Sequence, residues 1–337
     1  MKRRGSVLIL TIWVLVVLVL FAVGLAHRVS ISLKLARYQL DDLQAHSLAR
    51  AGVRYACALL QEDSLDLVTE QYDTPSECGV RVEGRFPEDV FSFRTQQNLP
   101  EGFRIEYFQF SEGFGRDTRQ LGLQDESRRL NINTMDGRGM MLLALLLRKR
   151  GVEEEEVNGI ADILSRWVAA DSTLSQAKGA PLKNLFELHA VLEYYYREVI
   201  RDPRYQTMAM QAFDLIKDAV TLYGDGKVNI NTVSDELLDV FVEAFAIGEQ
   251  RQLAISVANK LKSFRLASAG MPITDMASFR QGLTEDEKAF FDRLAPWLCF
   301  KGSVFRIAVT GYSRQVEKHI TCVYDRDAKE MLSWQES

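Results

Sequence analysis

Residues 1–61, MKRRGSVLILTIWVLVVLVLFAVGLAHRVSISLKLARYQLDDLQAHSLARAGVRYACALLQ, decide how this chain is organised. Val7 to Ala26 are almost continuously apolar, weakly interrupted by Thr11 and Gly24, and Lys2, Arg3 and Arg4 precede them. About 20 apolar residues at 1.5 Å rise span a hydrocarbon core of ~30 Å, the length of one membrane-crossing helix. The basic cluster keeps the N-terminus cytoplasmic, which puts everything after Ala26 on the other side. The competing reading is a secretory signal peptide cut after Ala26, although its usual apolar stretch of roughly 7 to 15 residues is shorter. The residues beyond Ala26 favour the anchor, because no Pro occurs before Pro75 and the helical pattern continues. Leu33, Ala36, Leu40, Leu43, Ser47, Ala51, Tyr55 and Ala58 recur in steps of three and four, with Lys34, Arg37, Asp41, Asp42 and Arg50 elsewhere. One helix from Ser6 to about Gln61 is expected, roughly 80 Å long, half in lipid and half under a globular head. An isolated helix of that length needs neighbours, so lateral assembly is expected.

The whole chain of 337 residues is 47% apolar and 26% charged, with four Cys and a formal net charge of -5. That composition excludes intrinsic disorder, collagen-like repeats and a small disulfide scaffold. No second charge-free run of ~20 residues exists, which excludes a multi-span transporter. The acidic balance argues against a nucleic-acid partner. Residues 80–110 change period: Val80, Val82, Phe91, Phe93, Ile105, Tyr107, Phe108 and Phe110 fall in short runs separated by Pro87, Pro100 and Gly102, which reads as strands and turns. Val304 to Thr310 and Val316 to Tyr324 read as a hairpin turning around Gly311 to Gln315. Between these blocks, from about Asn131 to Pro296, the pattern is helical. The order predicts an α+β domain built on the N-terminal helix, with a large all-helical region inserted.

The inserted region repeats itself. Leu130-Asn131-Ile132-Asn133-Thr134 returns 98 residues later as Val228-Asn229-Ile230-Asn231-Thr232, each followed by an apolar helix, Met140 to Leu147 and Leu237 to Phe245. Apolar residues alternating with Asn make a short strand, and Thr134 or Thr232 is expected to cap the next helix.

No constellation of catalytic residues emerges. His27, His46, His189 and His319 are dispersed, so a zinc or catalytic cluster is unsupported. Cys57, Cys78, Cys299 and Cys322 form no C-x-x-C pair, and both one disulfide and buried free thiols remain open. Gly224-Asp225-Gly226-Lys227 lacks the spacing of a phosphate loop and reads as a turn entering a strand. Glu153 to Glu156 reads as the solvated start of a helix. No enzyme is expected.

Basic residues, then Gly5, then an uncharged helix running straight into an amphipathic one, resemble the leader and stalk of type IV pilins and type II secretion pseudopilins. The resemblance implies that prepilin peptidase cuts between Gly5 and Ser6 and methylates Ser6, removing Lys2, Arg3 and Arg4. Ser6 departs from the Phe or Met usual at the first mature position. Leu10 departs from the Glu usual at the fifth. A carboxylate in the membrane is costly unless it neutralises a partner such as the terminal amine of an adjacent subunit. Leu10 cannot do this, which suits a subunit with none above it; it also fits a lipid-facing residue of a generic anchor. Both Asn-rich repeats, Ile160 to Asp171 with Trp167, Leu185-Phe186-Glu187-Leu188, Phe279 and the strand Ser303 to Val309 resemble the minor pseudopilin K (GspK) family over essentially the whole chain.

That resemblance implies a leader at 1–5, a membrane helix at 6–26 and a stalk at 27–62. A discontinuous pilin-like α+β domain is expected at 63–129 and 303–327, with two helical SAM-like modules at 130–227 and 228–302. It implies a non-enzymatic tip subunit that initiates pseudopilus assembly and supports export through the outer-membrane secretin. The protein would be a single-pass inner-membrane protein with a periplasmic head. Its implied partners are prepilin peptidase, minor pseudopilins I and J, other pseudopilins and the inner-membrane assembly platform. The family includes calcium-binding members, but its acidic run is replaced here by Arg166-Trp167-Val168-Ala169-Ala170-Asp171, so a site there would need most of its oxygens from elsewhere, Asp225 included. The alternative is a membrane-anchored DNA-binding or uptake protein, because Val228 to Phe264 is also similar to helix-hairpin-helix modules. Its hairpin, Ala246-Ile247-Gly248-Glu249, has one Gly and an adjacent acid that repels phosphate.

Overall fold

A computed structural model describes residues 4–65, 91–96, 99–109, 118–133, 138–169, 178–246, 248–267 and 273–337. Val80, Val82, Phe110, Thr134 and Asp171 lie outside the described residues. Helix α1 runs unbroken over Arg4–Leu65, 62 residues and about 90 Å at 1.5 Å per residue. From Leu10 to Leu40 its side chains are all exposed. Burial begins at Ala45 and continues through Ala49, Gly52, Val53, Ala56 and Leu60.

The face that the head covers is therefore not the stripe picked out by period. Leu33 and Leu40 lie where the helix is exposed on every side, and beside the head Ser47, Ala51, Tyr55 and Ala58 of that stripe face solvent. The sheet takes the face with the smallest side chains instead. There the backbones touch: a Cβ added to Gly311 would lie 2.8 Å from Ala49 Cα, and one added to Gly52 would lie 2.6 Å from Val309 Cγ1.

Four strands follow, β1 (Ser92–Gln96), β2 (Leu99–Gln109), β3 (Thr118–Leu121) and β4 (Gln124–Asp125). The helical region runs from β5 (Leu130–Asn131) to β8 (Leu298–Cys299), and the chain returns as β9 (Val304–Ser313), β10 (Val316–Asp325) and β11 (Glu330–Glu336). The antiparallel sheet has the order β1-β2-β9-β10-β11, with β3 beside β2 and β4 beside β9. Its inner face sets Phe103, Ile105, Phe305, Ile307, Val309, Ile320, Cys322 and Tyr324 against Ala49, Val53, Ala56 and Leu60 of α1. Each large side chain so buried contributes roughly 1.5–3 kcal/mol.

The C-terminal hairpin is longer than its expected strands. Pairing continues from Val304 opposite Asp325 to Ser313 opposite Val316. The turn is Arg314-Gln315, with Arg314 left-handed at φ 55°. β11 adds a third strand beyond the expected boundary at 327, with Cys322 opposite Trp334 and Ile320 opposite Glu336.

The helical region has one plan used twice. β5 opens the first half, α2 (Arg138–Lys149), α3 (Glu154–Val168), α4 (Leu185–Tyr194) and α5 (Tyr205–Ile216) follow, and β6 (Val220–Thr221) returns parallel to β5. β7 (Val228–Asn229) opens the second half, α6 (Asp235–Glu243), α7 (Arg251–Ala267), α8 (Ala277–Gln281) and α9 (Glu285–Leu294) follow, and β8 returns parallel to β7. The halves share one hydrophobic core, in which Leu143, Leu147 and Leu192 join Leu238, Leu261 and Phe291. Thr232 does not cap α6. Ser234 does, its Oγ accepting from Leu237 N at 3.3 Å, while the Thr232 hydroxyl turns to Asp125.

Candidate functional site

Two regions concentrate the features that a working role requires: the anchor helix and the joint between sheet and helical region. Gly5 and Ser6 lie in the first turns of α1, and Arg4 is its first residue. Lys2 and Arg3 lie outside the described residues. Leu10 is 66% exposed, and so are its neighbours Trp13, Leu18 and Phe21 to a similar extent. A helix apolar on all sides and covered by none of the described residues has the character of a membrane span, and α1 is long and apolar enough to cross a membrane once.

Polar clamps begin where α1 meets the head. Asp41 pairs with Arg314 at 3.4 Å and Asp42 with Lys318 at 3.1 Å. Ser313 Oγ donates to Gln44 Oε1 at 3.0 Å, and Gln61 Nε2 donates to the Tyr324 hydroxyl at 2.6 Å. On β11, Glu336 accepts from the Trp334 indole at 2.9 Å and from Arg50 at 3.0 Å, with His46 Nε2 at 3.1 Å. Hydrogen bonds from Trp334, Arg50 and His46 pull the Glu336 carboxyl down to about 2. The last strand thus fastens the sheet to the stalk.

At the joint, the repeated asparagines act as brackets. Asn133 Nδ2 donates to Leu182 O at 2.8 Å and Leu222 O at 3.3 Å, and its Oδ1 accepts from Leu182 N at 3.2 Å. Asn231 does the same with Ile273 O at 3.0 Å, Phe300 O at 3.2 Å and Ile273 N at 2.8 Å. In both halves the first Asn accepts from the second one's backbone N–H, at 2.8 Å and 3.0 Å. Their amides then diverge. Asn131 donates to Tyr223 O and Gly224 O, in the link between the halves; Asn229 donates to Asp125 Oδ2 at 2.9 Å.

Asp125 is fully buried and also accepts from Thr232 Oγ1 and Ser127 N, at 2.9 Å and 2.8 Å. Burial raises its carboxyl against the opposing pull of these donors. Glu126 beside it is also buried; Arg306 and Arg129 outweigh desolvation and hold it below its ordinary range. Arg306 Nε stands 2.7 Å from Glu126 Oε1, and Arg129 Nη2 donates to Gln124 Oε1 at 2.7 Å. Burial, with Arg306 nearby, pushes the Arg129 guanidinium down to about 10. Sequence reasoning missed this cluster. Its only trace was the run Gln124-Asp125-Glu126-Ser127-Arg128-Arg129 just before the first repeat.

A cavity of about 470 Å³ opens beside the cluster, lined among others by Glu106, Arg129, Asp218, Arg306, Thr310 and His319. Thr310 Oγ1 lies 3.0 Å from Glu106 Oε1 and 2.9 Å from His319 Nδ1. The hydroxyl is tied between the two groups, and the histidine stands at the end of the chain rather than between a hydroxyl and an acid.

Among the described residues, no group of three or more His, Cys, Asp or Glu is placed to hold a metal. Asp225 accepts from Lys227 N at 3.0 Å and pairs with Lys227 Nζ at 3.2 Å, inside a turn where Gly224 and Gly226 have φ 87° and 82°. Trp167 packs edge-on against Tyr194, and its carbonyl accepts from Lys178 N and Gly179 N. Residues 166–169 carry no carboxylate, and Asp171, the acid of this stretch, lies outside the described residues. In the hairpin before α7, Gly248 is left-handed at φ 61° and Glu249 is exposed beside it. A carboxylate stands where a phosphate would have to approach.

The sequence matches no protein-family model and no curated protein. Among solved structures it is similar to a chain of the GspK-GspI-GspJ complex from the enterotoxigenic Escherichia coli type 2 secretion system. The TM-score is 0.52 at 16% identity, over 90% of this chain and 99% of that one. An identity that low speaks to architecture alone, and the likeness covers most of both chains. In fold, the chain is GspK-like: an α+β head on a long N-terminal helix, with a helical region set into the sheet domain.

Proposed function

We propose that the chain is a minor pseudopilin of a type II secretion system, acting as a structural subunit without turnover. The observation that carries this reading is an unbroken helix, bare and apolar over its first half, whose second half is the spine of a GspK-like head. The bare half lies in the inner membrane, the basic leader in the cytoplasm and the head in the periplasm. Prepilin peptidase removes residues 1–5, leaving Ser6 as the first and methylated residue. Neighbouring stalks pack on the uncovered Leu33, Leu40 and Leu43 stripe. Leu10 offers no carboxylate to a subunit above, and the broad helical region leaves no room for one along a fibre. The chain therefore stands at the tip, with minor pseudopilins I and J below it, and starts assembly there.

Co-expression with prepilin peptidase followed by intact-mass measurement tests the reading. The expected product lacks Met1 to Gly5; an intact chain, or one cut after Ala26, would refute it. Co-purification with pseudopilins I and J tests the partnership separately.

A further inference from the structure

Cys57 lies on the flank of α1 that carries His46, Arg50 and Gln61, at successive steps of four, seven and four residues, and that flank looks along β10. Gln61 reaches the Tyr324 hydroxyl, while His46 and Arg50 reach Glu336, which stands opposite Ile320. Tyr324, Cys322 and Ile320 are alternate residues of β10, and all three belong to the core under the helix. One turn back from Gln61 is Cys57, a rise of ~6 Å. Two residues back from Tyr324 is Cys322, ~6.6 Å along the strand. The two cysteines therefore stand at the same level of the interface, and Cys57 packs against the cluster in which Cys322 is buried. Helix and sheet approach closely along β9, the neighbour of β10, where Ala45, Ala49, Gly52 and Ala56 are buried and Gly52 and Gly311 meet Val309 and Ala49. A disulfide needs Cα atoms within about 7 Å, which a close-packed helix favours.

We propose that Cys57 and Cys322 are a disulfide-forming pair that staples the stalk helix to strand β10 of the head after export. Both thiols are free in the structure. Burial, with the Cys57 sulfur beside it, pushes the Cys322 thiol up to about 12, so the folded, reduced pair is unreactive at neutral pH. Closure belongs to folding, before the sheet covers the helix. The oxidant is a protein dithiol oxidase of the oxidising compartment. One cysteine thiolate attacks its disulfide to form a mixed disulfide and release one oxidase thiol; the second thiolate then attacks the mixed disulfide and releases the other. The chain loses two protons and two electrons, and the oxidase disulfide becomes a dithiol. Force applied to the head is then carried into the stalk by a covalent bond.

The inference rests on the periplasmic reading of the head, and the test separates the two. The full-length chain, carrying a C-terminal alkaline phosphatase reporter, is recovered from bacterial membranes with acid trapping, alkylated and digested without reduction. A Cys57 peptide joined to a Cys322 peptide is expected, two hydrogens lighter than the pair, lost on dithiothreitol treatment and absent from Cys57→Ser. An active reporter with both cysteines alkylated, or with either joined to Cys78 or Cys299, overturns the proposal. An inactive reporter refutes the periplasmic reading instead. The pair is then decided on the purified full chain refolded in a glutathione redox buffer, where absence of the Cys57–Cys322 linkage overturns it.

Discussion

Replacing Gly311 with Ala tests the contact on which the head depends. A Cβ at this position would stand 2.8 Å from Ala49 Cα and closer still to Ala45 O and Ala49 N, all of them backbone atoms of α1. Carbon atoms in contact rest at about 3.5–4.0 Å, so helix and strand must separate by roughly 1 Å. No side chain can swing aside to absorb this. Separation loosens Ala49, Val53 and Ala56 from Phe103, Ile307 and Val309 together. Overpacking of this kind costs about 1–3 kcal/mol. The smaller unfolded-state entropy of Ala returns about 0.4–1 kcal/mol, because Gly311 does not adopt positive φ. A net loss of about 1–2 kcal/mol is expected, read as a lower midpoint in denaturant unfolding of the detergent-solubilised chain followed by circular dichroism. Gly24→Ala is the control. A Cβ there meets nothing within 4 Å, so that change is expected to be neutral or to stabilise by up to about 1 kcal/mol. If Gly311→Ala behaves like Gly24→Ala, the helix does not ride directly on the strand.

Asp125→Ala strands the Asn229 amide, the Thr232 hydroxyl and the Ser127 N–H in the joint; a loss of about 2–4 kcal/mol is expected, with Asp125→Asn milder because an acceptor oxygen remains. Equal stability of Asp125→Ala and wild type in urea would contradict this bonding. Glu336 has a folded-state pKa depressed to about 2, so the stability it contributes is present above the ordinary carboxylate pKa of about 4.3 and disappears as pH falls from there towards 2. Thermal midpoints of wild type and Glu336→Gln should converge across that acid window, and a constant gap would count against the clamp. Leu10→Glu places a carboxylate near the cytoplasmic end of the span and is expected to disturb tip placement; unchanged assembly and secretion would remove Leu10 from that role.

Much of the architecture was legible because its signals are local. The apolar run and the absence of Pro require a long helix, and the Asn-rich pentapeptide announced a duplicated helical plan. What the asparagines do was not legible. Asn133 and Asn231 bracket partners about 40 to 90 residues distant, and nothing in their own segments marks Leu182 or Ile273 as the recipients. β11 was missed for a related reason. Glu330-Met331-Leu332-Ser333-Trp334-Gln335-Glu336 has neither β-branched residues nor clean alternation, and it becomes a strand because β10 presents an open edge and Arg50 and His46 hold Glu336.

By itself the sequence determined the elements: a spanning helix, β blocks at either end of the head and a repeated helical plan between them. Hydrophobic period and turn residues act over a few positions, which is why those features could be read in order along the chain. Only the tertiary structure decided which face of α1 carries the head. Two faces are available along the stretch that the head covers. The one with Ser47, Ala51, Tyr55 and Ala58 is left exposed, while Ala45, Ala49, Gly52 and Ala56 are covered, because close approach of two backbones requires small side chains on both surfaces and Gly311 supplies the strand's side of that contact. The buried charges Asp125, Glu126 and Arg129 were decided the same way: each is tolerable only beside partners, the half-buried Arg306 among them, that folding brings close.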